Sequence, residues 1–155
     1  MQIINEQNLL SACAVLAETD ADLAFIFNAC GTPPLWRREP SFATLVHIIL
    51  EQQVSLASAL AAFNKLREKL GSITPEGVLS LTDEELKAAY FSRQKTIYVR
   101  HLSEAVASGA LDLKSLESLP DESAKELLKK VKGIGDWTAD IYLLMALRRP
   151  DVMPK

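Results

Sequence analysis

The feature that most constrains this fold is a series of helix start signals in the second half of the chain. Thr74 followed by Pro75 has the form of an N-cap with proline at the first helical position. Thr82 and Glu85 have the spacing of a capping box, and Ser92 precedes a long amphipathic segment. Apolar residues elsewhere recur at helical spacing, and no alternating strand pattern of useful length occurs. The sequence therefore predicts an all-α fold of many short helices.

Glycine and proline positions divide the chain into parts of one predicted helical domain, residues 1–155. Residues 1–31 are expected to form two N-terminal helices, the second of which ends at Gly31. The proline-rich segment 32–40 reads as an extended loop, because a residue before proline is pushed out of the helical region. The core and the most informative motif fall within residues 35–155.

A run of low charge from Pro40 to Asn64 raises the question of a membrane span, since it is long enough to cross a bilayer. Its one formal charge, Glu51, lies with Gln52 and Gln53 at the midpoint, where a charged residue costs about 3 kcal/mol on insertion scales. Two buried helices joined at this polar triplet fit the pattern better. We therefore predict no membrane partner.

Composition excludes several other classes of protein. A chain of 155 residues that is 48% hydrophobic can bury about two thirds of its unfolded surface, which argues against disorder. Cys13 and Cys30 are too few for a disulfide scaffold, a four-cysteine zinc site or an iron–sulfur cluster. No secretory signal is found at the N-terminus, so a reduced, cytoplasmic location is predicted. With a net charge of −3, any nucleic-acid contact must be local.

The segment 127–141 carries most of the chemical information. A helix is stopped by a glycine turn, and a second helix starts at once. Gly133 and Gly135 permit positive φ and close backbone approach, while Ile134 can plug the groove between the two helices. The amides of the two glycines and of residues 136–138 would then form an anion-binding nest.

The charge around this turn supports the same interpretation. Residues 125–135 contain four lysines and one acid, Glu126, so the local field is positive in an acidic chain. A nucleic-acid phosphate is the natural ligand, because such contacts position a protein without reading sequence. On these features alone, a tight turn beside a solvated lysine face fits as well.

Three segments together resemble a known family. The stretch Val-Lys-Gly-Ile-Gly-Asp-Trp-Thr-Ala at 131–139 resembles the helix-hairpin-helix of the DNA glycosylase superfamily, in particular that of 3-methyladenine DNA glycosylases. Residues 40–55, with their Gln-Gln-Val-Ser turn, resemble the family's first core helix, and residues 91–98 resemble the segment before the hairpin. The resemblance runs from about Leu35 to the C-terminus and implies a multi-helix bundle of the helix-hairpin-helix DNA glycosylase type.

The resemblance implies a base-excision repair enzyme that flips alkylated purines out of double-stranded DNA and hydrolyses the N-glycosidic bond without a cofactor. Flipping is required because this bond is shielded inside the base stack. By similarity, the DNA-binding residues of the hairpin are Lys132, Gly133, Ile134, Gly135 and Thr138. The carbonyls of Val131 and Ile134 would share a monovalent cation, and Gln53 would be the wedge that fills the vacated stack. From the residues alone, Gln53 fits a polar break between two helices equally well.

Trp137 stands where bifunctional members of the family carry a lysine that attacks the sugar as a Schiff-base nucleophile. An indole cannot do this, so the resemblance implies a monofunctional enzyme without lyase activity. Trp137 would instead line the base pocket, where cation–π attraction to an alkylated purine is worth up to about 2 kcal/mol. Trp36 is a second aromatic for this pocket. Both tryptophans also fit ordinary packing roles, and His47 reads as a core or rim histidine.

The catalytic Asp of the family lies shortly after the second hairpin helix, in a Pro-x-x-Asp setting. The chain enters that loop and ends, so the Asp is expected two positions after Lys155 and no catalytic residue is predicted within the chain. Asp151 is a poor substitute because it precedes Pro154. We therefore expect a domain that is incomplete at its C-terminus and exposes apolar surface. The alternatives to the enzyme are a non-catalytic helix-hairpin-helix DNA-binding module, an inactive fragment, or a helical interaction protein.

Overall fold

The computed structural model describes residues 3–154, which form nine α-helices, one 3₁₀ turn and one π-helical turn. The helices are α1 Glu6–Thr19, α2 Ala21–Cys30, α3 Phe42–Glu51, α4 Leu56–Leu70, α5 Pro75–Ser80, α6 Asp83–Ala88, α7 Arg93–Ala107, α8 Asp121–Lys129 and α9 Asp136–Ile141. The 3₁₀ turn is Ser115–Glu117, and Tyr142–Ala146 continues α9 as the π-helical turn. No strand occurs in this part of the chain, so the all-α prediction is confirmed.

Helix α3 forms the centre of the core. Six of its ten residues are buried, namely Phe42, Leu45, Val46, Ile48, Ile49 and Leu50. It packs against α4, α7, α9 and the π-helical turn. Each fully buried side chain of this size stabilises the fold by about 1.5–3 kcal/mol. Within residues 3–154, no helix is both long and apolar enough to cross a membrane.

The predicted helix starts are observed in the structure. The Thr74 hydroxyl accepts a hydrogen bond from the Gly77 amide at 3.1 Å. The capping box is complete, since the Thr82 amide donates to the Glu85 carboxylate at 2.9 Å and the Glu85 amide donates to the Thr82 hydroxyl at 3.2 Å. Ser92 caps α7 in the same way. Together these caps satisfy backbone donors that have no partner inside a helix.

The two N-terminal helices pack against each other, and none of their residues is buried. Leu16 is 51% exposed and Phe25 is 74% exposed. A hydrogen bond of 2.8 Å from the Ile4 amide to the Arg148 carbonyl joins the residues just before α1 to those just after the π-helical turn. The periodicity of the N-terminal segment thus predicts its helices correctly, while several of its large apolar side chains are exposed.

Candidate nucleic-acid interface

The turn between α8 and α9 depends on one glycine in particular. Gly133 has φ +97, and a Cβ at this position would overlap the ring of Tyr98. Both the conformation and the close approach therefore require glycine. Gly135 differs, because its φ is −97 and the space where a Cβ would lie is open. Gly133 thus uses the positive φ that glycine permits, whereas Gly135 does not. Ile134 is buried between the two helices, as predicted.

The hairpin presents main-chain donors without acceptors. Within residues 3–154, the N–H groups of Gly133, Gly135, Asp136 and Trp137 have no hydrogen-bond partner. Three of these four residues, Gly133, Gly135 and Trp137, line a groove of about 710 Å³. Clustered backbone donors of this kind form an anion-binding concavity. The arrangement therefore fits an oxyanion such as a phosphate.

Acidic partners reduce the positive charge of the hairpin. Lys125 pairs with Asp140 at 2.8 Å and with Asp136 at 3.3 Å, and Lys129 pairs with Asp136 at 3.1 Å. The hydrogen bonds from Lys129 and Lys125 hold the pKa of Asp136 below its usual value. The count of four lysines and one acid covers residues 125–135 and omits Asp136. It therefore overestimates the positive charge of the hairpin. In the part of the chain that the structure describes, Lys130 and Lys132 have no ion pair.

Gln52 joins the end of α3 to the hairpin. Its Nε2 donates to the Gly133 carbonyl and to the Thr138 hydroxyl, both at 2.9 Å. Thr138 is itself buried, so its hydroxyl lies at the floor of the groove. Two hydrogen bonds from one amide fix the Gln-Gln turn against the glycine turn, although 81 residues separate Gln52 from Gly133. The role of Gln52 was not predicted from the sequence.

Gln53 follows in an unusual conformation. Its φ is +56, a left-handed geometry that costs a residue other than glycine about 1–2 kcal/mol. Its side chain is exposed and lines the same groove as the hairpin. Backbone strain of this kind is concentrated at functional sites. The exposed side chain of Gln53 is able to contact a ligand in the groove, and its role as a wedge stays a prediction.

The opposite wall of the groove comes from the start of α7. Ser92, Gln94, Lys95 and Tyr98 all line it. The Nζ of Lys95 donates to the Leu50 carbonyl near the end of α3, and burial lowers the pKa of this amine. Lys95 therefore satisfies a helix-end carbonyl and fixes α7 against α3.

A second cavity, of about 630 Å³, adjoins the groove and contains both tryptophans of the chain. Trp36 is 70% exposed and Trp137 is 40% exposed. The other apolar residues of the lining are Val54, Leu56, Ile141 and Met145. Trp137 belongs to the lining of both cavities. The two residues predicted for a base pocket are thus brought together, one from the proline-rich loop and one from α9. We call this second cavity the aromatic pocket.

An ion pair lies at the boundary between the groove and the aromatic pocket. Arg38 donates to both carboxylate oxygens of Glu51, at 3.0 and 2.8 Å, and the Glu51 side chain is only 7% exposed. His47 lies 3.7 Å from the same carboxylate and stacks on Phe63 with the ring centroids 4.4 Å apart. Burial lowers the pKa of His47, with Glu51 opposing this effect and Arg38 adding to it. His47 is therefore a rim histidine, as predicted.

The carbonyls predicted to hold a monovalent cation are compatible with that role. The Val131 carbonyl accepts one hydrogen bond, from the Ile134 amide at 3.0 Å, so a second lone pair remains. The Ile134 carbonyl accepts none from residues 3–154. Two carbonyl oxygens with lone pairs to spare at one turn are suitable ligands for a hard cation. The assignment of this cation stays a prediction.

Comparison with known proteins connects this geometry to a family. The model of the HhH-GPD superfamily of base excision DNA repair proteins matches residues 46–154. The chain belongs to this superfamily. DNA-3-methyladenine glycosylase 1 of Schizosaccharomyces pombe is 33% identical over 122 residues, which cover 76% of this chain and 53% of that protein. The chain spans about half the length of the curated relatives it matches.

Two solved structures of the superfamily superpose on nearly the whole chain. The DNA-3-methyladenine glycosidase of Bacillus halodurans has a TM-score of 0.79 at 31% identity and covers 99% of this chain and 70% of its own. The 3-methyladenine DNA glycosylase of S. pombe in complex with abasic DNA has a TM-score of 0.82 at 29% identity, covering 93% and 73%. The predicted family and its helical bundle fold are therefore confirmed.

Within this HhH-GPD fold, the predicted site residues lie in two adjoining cavities. Gly133, Ile134, Gly135 and Thr138 line the groove with Gln53, whereas Lys132 is exposed on the hairpin outside its lining. Three residues of the site were missed, namely Arg38, Glu51 and Gln52. Glu51 and Gln52 belong to the polar triplet within an apolar run, which is the sequence signal for both, whereas Arg38 has no such signal.

Proposed function

We propose that this chain binds damaged double-stranded DNA and flips an alkylated purine into the aromatic pocket, as part of a monofunctional 3-methyladenine-type DNA glycosylase. One observation carries the proposal: the hairpin donors, the strained Gln53 and the two tryptophans line two cavities that share a wall at Trp137. These are the three elements that an enzyme needs to hold a backbone, fill a vacated stack and receive a base.

The hairpin would bind a DNA phosphate next to the lesion. The unpartnered amides of Gly133 and Gly135 supply hydrogen bonds, and Lys132 supplies a charge that no described acid neutralises. Such contacts fix the register of the protein without reading sequence. A monovalent cation at the Val131 and Ile134 carbonyls would add positive charge beside the same phosphate. The solved S. pombe relative is in complex with abasic DNA, which supports DNA as the ligand.

The wedge and the base pocket follow from the neighbouring elements. Gln53 would enter the base stack, because its left-handed backbone and exposed side chain present it to the groove. The displaced base would stack on Trp137 and Trp36, and a cationic alkylated purine gains cation–π attraction there. Trp137 has no amine to attack the sugar, so water would be the nucleophile and no strand cleavage would follow. Names of relatives that act on 3-methyladenine support this substrate class.

A second candidate is a DNA-binding module that performs no chemistry by itself. The observation that favours it is the state of Glu51, the only carboxylate that lines the aromatic pocket among residues 3–154, since Arg38 binds both of its oxygens. A carboxylate held in this way is a poor base for activating water. The relatives' additional length is where a catalytic carboxylate would be sought. A cytoplasmic location with access to DNA is consistent with either candidate.

The first experiment tests DNA binding by the 155-residue chain. We expect preference for an abasic duplex over an intact one, with affinity that falls as salt is raised. A slope of about −2 in log K against log salt is expected if Lys130 and Lys132 each neutralise one phosphate. Gly135→Asp places a carboxylate in open space beside the free amides, so it should reduce affinity about tenfold or more.

Gly135→Ala is the matched control, since it adds volume to the same open space without charge and should bind like the wild type. Equal affinities for Gly135→Asp and wild type would refute the phosphate site. The second experiment scores base release and strand cleavage separately on a methylated-purine duplex. Release without nicking supports the enzyme, nicking by β-elimination contradicts the role given to Trp137, and binding without release supports the second candidate.

A further inference from the structure

The loop that carries Trp36 is attached to the rest of the protein at one residue. Within residues 3–154, every hydrogen bond and ion pair that joins the segment 32–40 to other parts of the chain is made by Arg38. Its amide donates to the Met145 carbonyl at 3.0 Å, and its guanidinium binds Glu51. Prolines at three positions of the loop contribute no N–H at all.

Packing cannot hold Trp36 in place by itself. The residue is 70% exposed, and only Leu35 and Arg38 in the loop are half-buried. Exposed loops with few contacts move on nanosecond to microsecond timescales. The position of Trp36 at the mouth of the aromatic pocket therefore depends on the anchor two residues further along the chain.

The anchor itself is rigid. Arg38 and Glu51 form a bidentate pair, which fixes the direction of the guanidinium as well as its distance. The Glu51 side chain is almost fully buried at the end of α3, so salt screens the pair weakly. Because α3 is the centre of the core, the pair connects an exposed loop to a buried helix.

We propose that Arg38 is a positioning residue: by clamping onto Glu51, it holds the 32–40 loop so that Trp36 closes one side of the aromatic pocket before DNA binds. The proposal rests on the proposed function only in taking the pocket's ligand to be a flipped purine. Arg38 acts through Trp36 and touches no reacting atom. Because Arg38 orders the loop before the base arrives, binding of the base does not have to bear the entropic cost of ordering it.

The direct test measures the motion of Trp36. The chain has two tryptophans, so in a Trp137→Phe background all tryptophan fluorescence comes from Trp36. We expect Arg38→Met to raise the amplitude of the nanosecond segmental component in time-resolved anisotropy by about twofold, as for a released loop. Arg38→Lys, which keeps the charge but loses the fork, should give an intermediate value.

The neighbouring Arg37 provides the control. It lies in the same loop, and within residues 3–154 its guanidinium pairs only with the exposed Glu39 of that loop, at 3.6 Å. Arg37→Ala should therefore leave the anisotropy of Trp36 unchanged. If Arg38→Met leaves it unchanged in a folded protein, or if Arg37→Ala raises it as much, the proposal is overturned.

Removal of Arg38 alone leaves the buried Glu51 carboxylate with only His47, 3.7 Å away, and loss of one partner of a buried ion pair is destabilising. The double variant Arg38→Met with Glu51→Gln removes both charges, and its fold is checked by circular dichroism and urea denaturation. If the single variant does not fold, the anisotropy of the double variant decides. Segmental motion of Trp36 above the wild-type level supports the role of Arg38, and motion at the wild-type level refutes it.

A DNA experiment separates this proposal from the proposed function. A duplex that contains 2′-fluoro-7-methyldeoxyguanosine keeps its glycosidic bond, and an abasic duplex has no base to stack on Trp36. We expect Arg38→Met to weaken binding of the first duplex about threefold to tenfold and that of the second very little, because only a base needs the ordered loop. Equal weakening for both duplexes contradicts the positioning role. If the wild type prefers neither over an intact duplex, the proposed function fails, while the anisotropy result still decides the role of Arg38.

Discussion

Helix α2 and helix α3 have the same length and similar apolar content but opposite burial. Each has ten residues, and in α2 none is buried while in α3 six are. Both begin with a side-chain cap, Asp20 for α2 and Ser41 for α3. The local sequence therefore accounts for the helix in both cases. What makes α3 central is the set of helices that pack around it, and this cannot be read from ten residues.

The polar contacts of the two regions differ in the same way. In the N-terminal pair the side-chain contacts are local: Asn5 and Asn8 form a capping box, and Asp20 caps α2. At the end of α3, Glu51 and Gln52 bind partners from distant parts of the chain. The comparison teaches that the site is marked by long-range polar contacts at the end of a buried helix rather than by amphipathic pattern.

The largest effect is expected from a paired truncation of leucines. Leu45→Ala in α3 removes a fully buried side chain and should lower the free energy of unfolding by about 3–5 kcal/mol. Leu16→Ala in α1, at a position that is 51% exposed, should change it by less than about 0.5 kcal/mol. Urea denaturation of both variants measures the difference. Similar losses would mean that the N-terminal pair is as much a part of the core as α3.

Two glycines, Gly133 in the hairpin and Gly31 at the end of α2, allow the same comparison for the backbone. Gly133→Ala combines strain at positive φ with overlap of the Tyr98 ring, for a loss of about 2–4 kcal/mol. Gly31→Ala has positive φ but open space around the added methyl group, so a loss of about 1–2 kcal/mol is expected. Thermal unfolding of the two variants should show the gap. If their midpoints coincide, the contact between Tyr98 and Gly133 does not constrain the hairpin.

Removal of the bridge at Gln52 should have a smaller effect on stability and a clear one on binding. Gln52→Ala deletes two hydrogen bonds to the hairpin and should cost about 1–3 kcal/mol. Because the wedge turn and the phosphate-binding turn are then no longer fixed to each other, affinity for an abasic duplex should fall as well. Gln7→Ala, on the exposed surface of α1, serves as the control. Wild-type affinity in a folded Gln52→Ala variant would remove the bridge from the site.

Gln53→Gly should stabilise the fold but weaken DNA binding. Glycine relieves the left-handed strain at φ +56 but loses more chain entropy, for a net stabilisation of about 0.5–1 kcal/mol. The same change removes the side chain proposed as the wedge, so affinity for an abasic duplex should decrease. Denaturation and fluorescence-polarisation binding are measured on one preparation. A variant that is stabilised and binds normally would show that the wedge lies elsewhere.

The smallest effect concerns pH. Burial lowers the pKa of His47 from its usual 6.5, so below that pH the unfolded chain binds more protons than the folded protein. The free energy of unfolding should therefore decrease as the pH falls from about 7 to 5.5, and His47→Gln should lack this decrease. The lowered pKa of Asp136 has its effect below about pH 4, outside this window. Urea denaturation at the two pH values provides the measurement, and an identical slope for the variant would contradict this origin.

Most helix boundaries and the family could be predicted because their signals are local. Thr82 and Glu85 form the capping box that their spacing indicates, and the Gly-Ile-Gly turn is found between α8 and α9. The Arg38–Glu51 pair had no such signal, since it joins a loop to a helix with no fixed spacing. Gln52 and Gln53 are chemically identical neighbours, and only their backbone conformations separate the bridge from the proposed wedge.

The hydrogen bonds of Gln52 also have a consequence for protein engineering. One nitrogen reaches two acceptors, so the rotation of this residue about the axis of α3 is set closely. A one-residue insertion or deletion within α3 would turn Gln52 by about 100° and withdraw it from both acceptors. Chimeras that exchange α3 between homologues should therefore tolerate changes of its side chains far better than changes of its length.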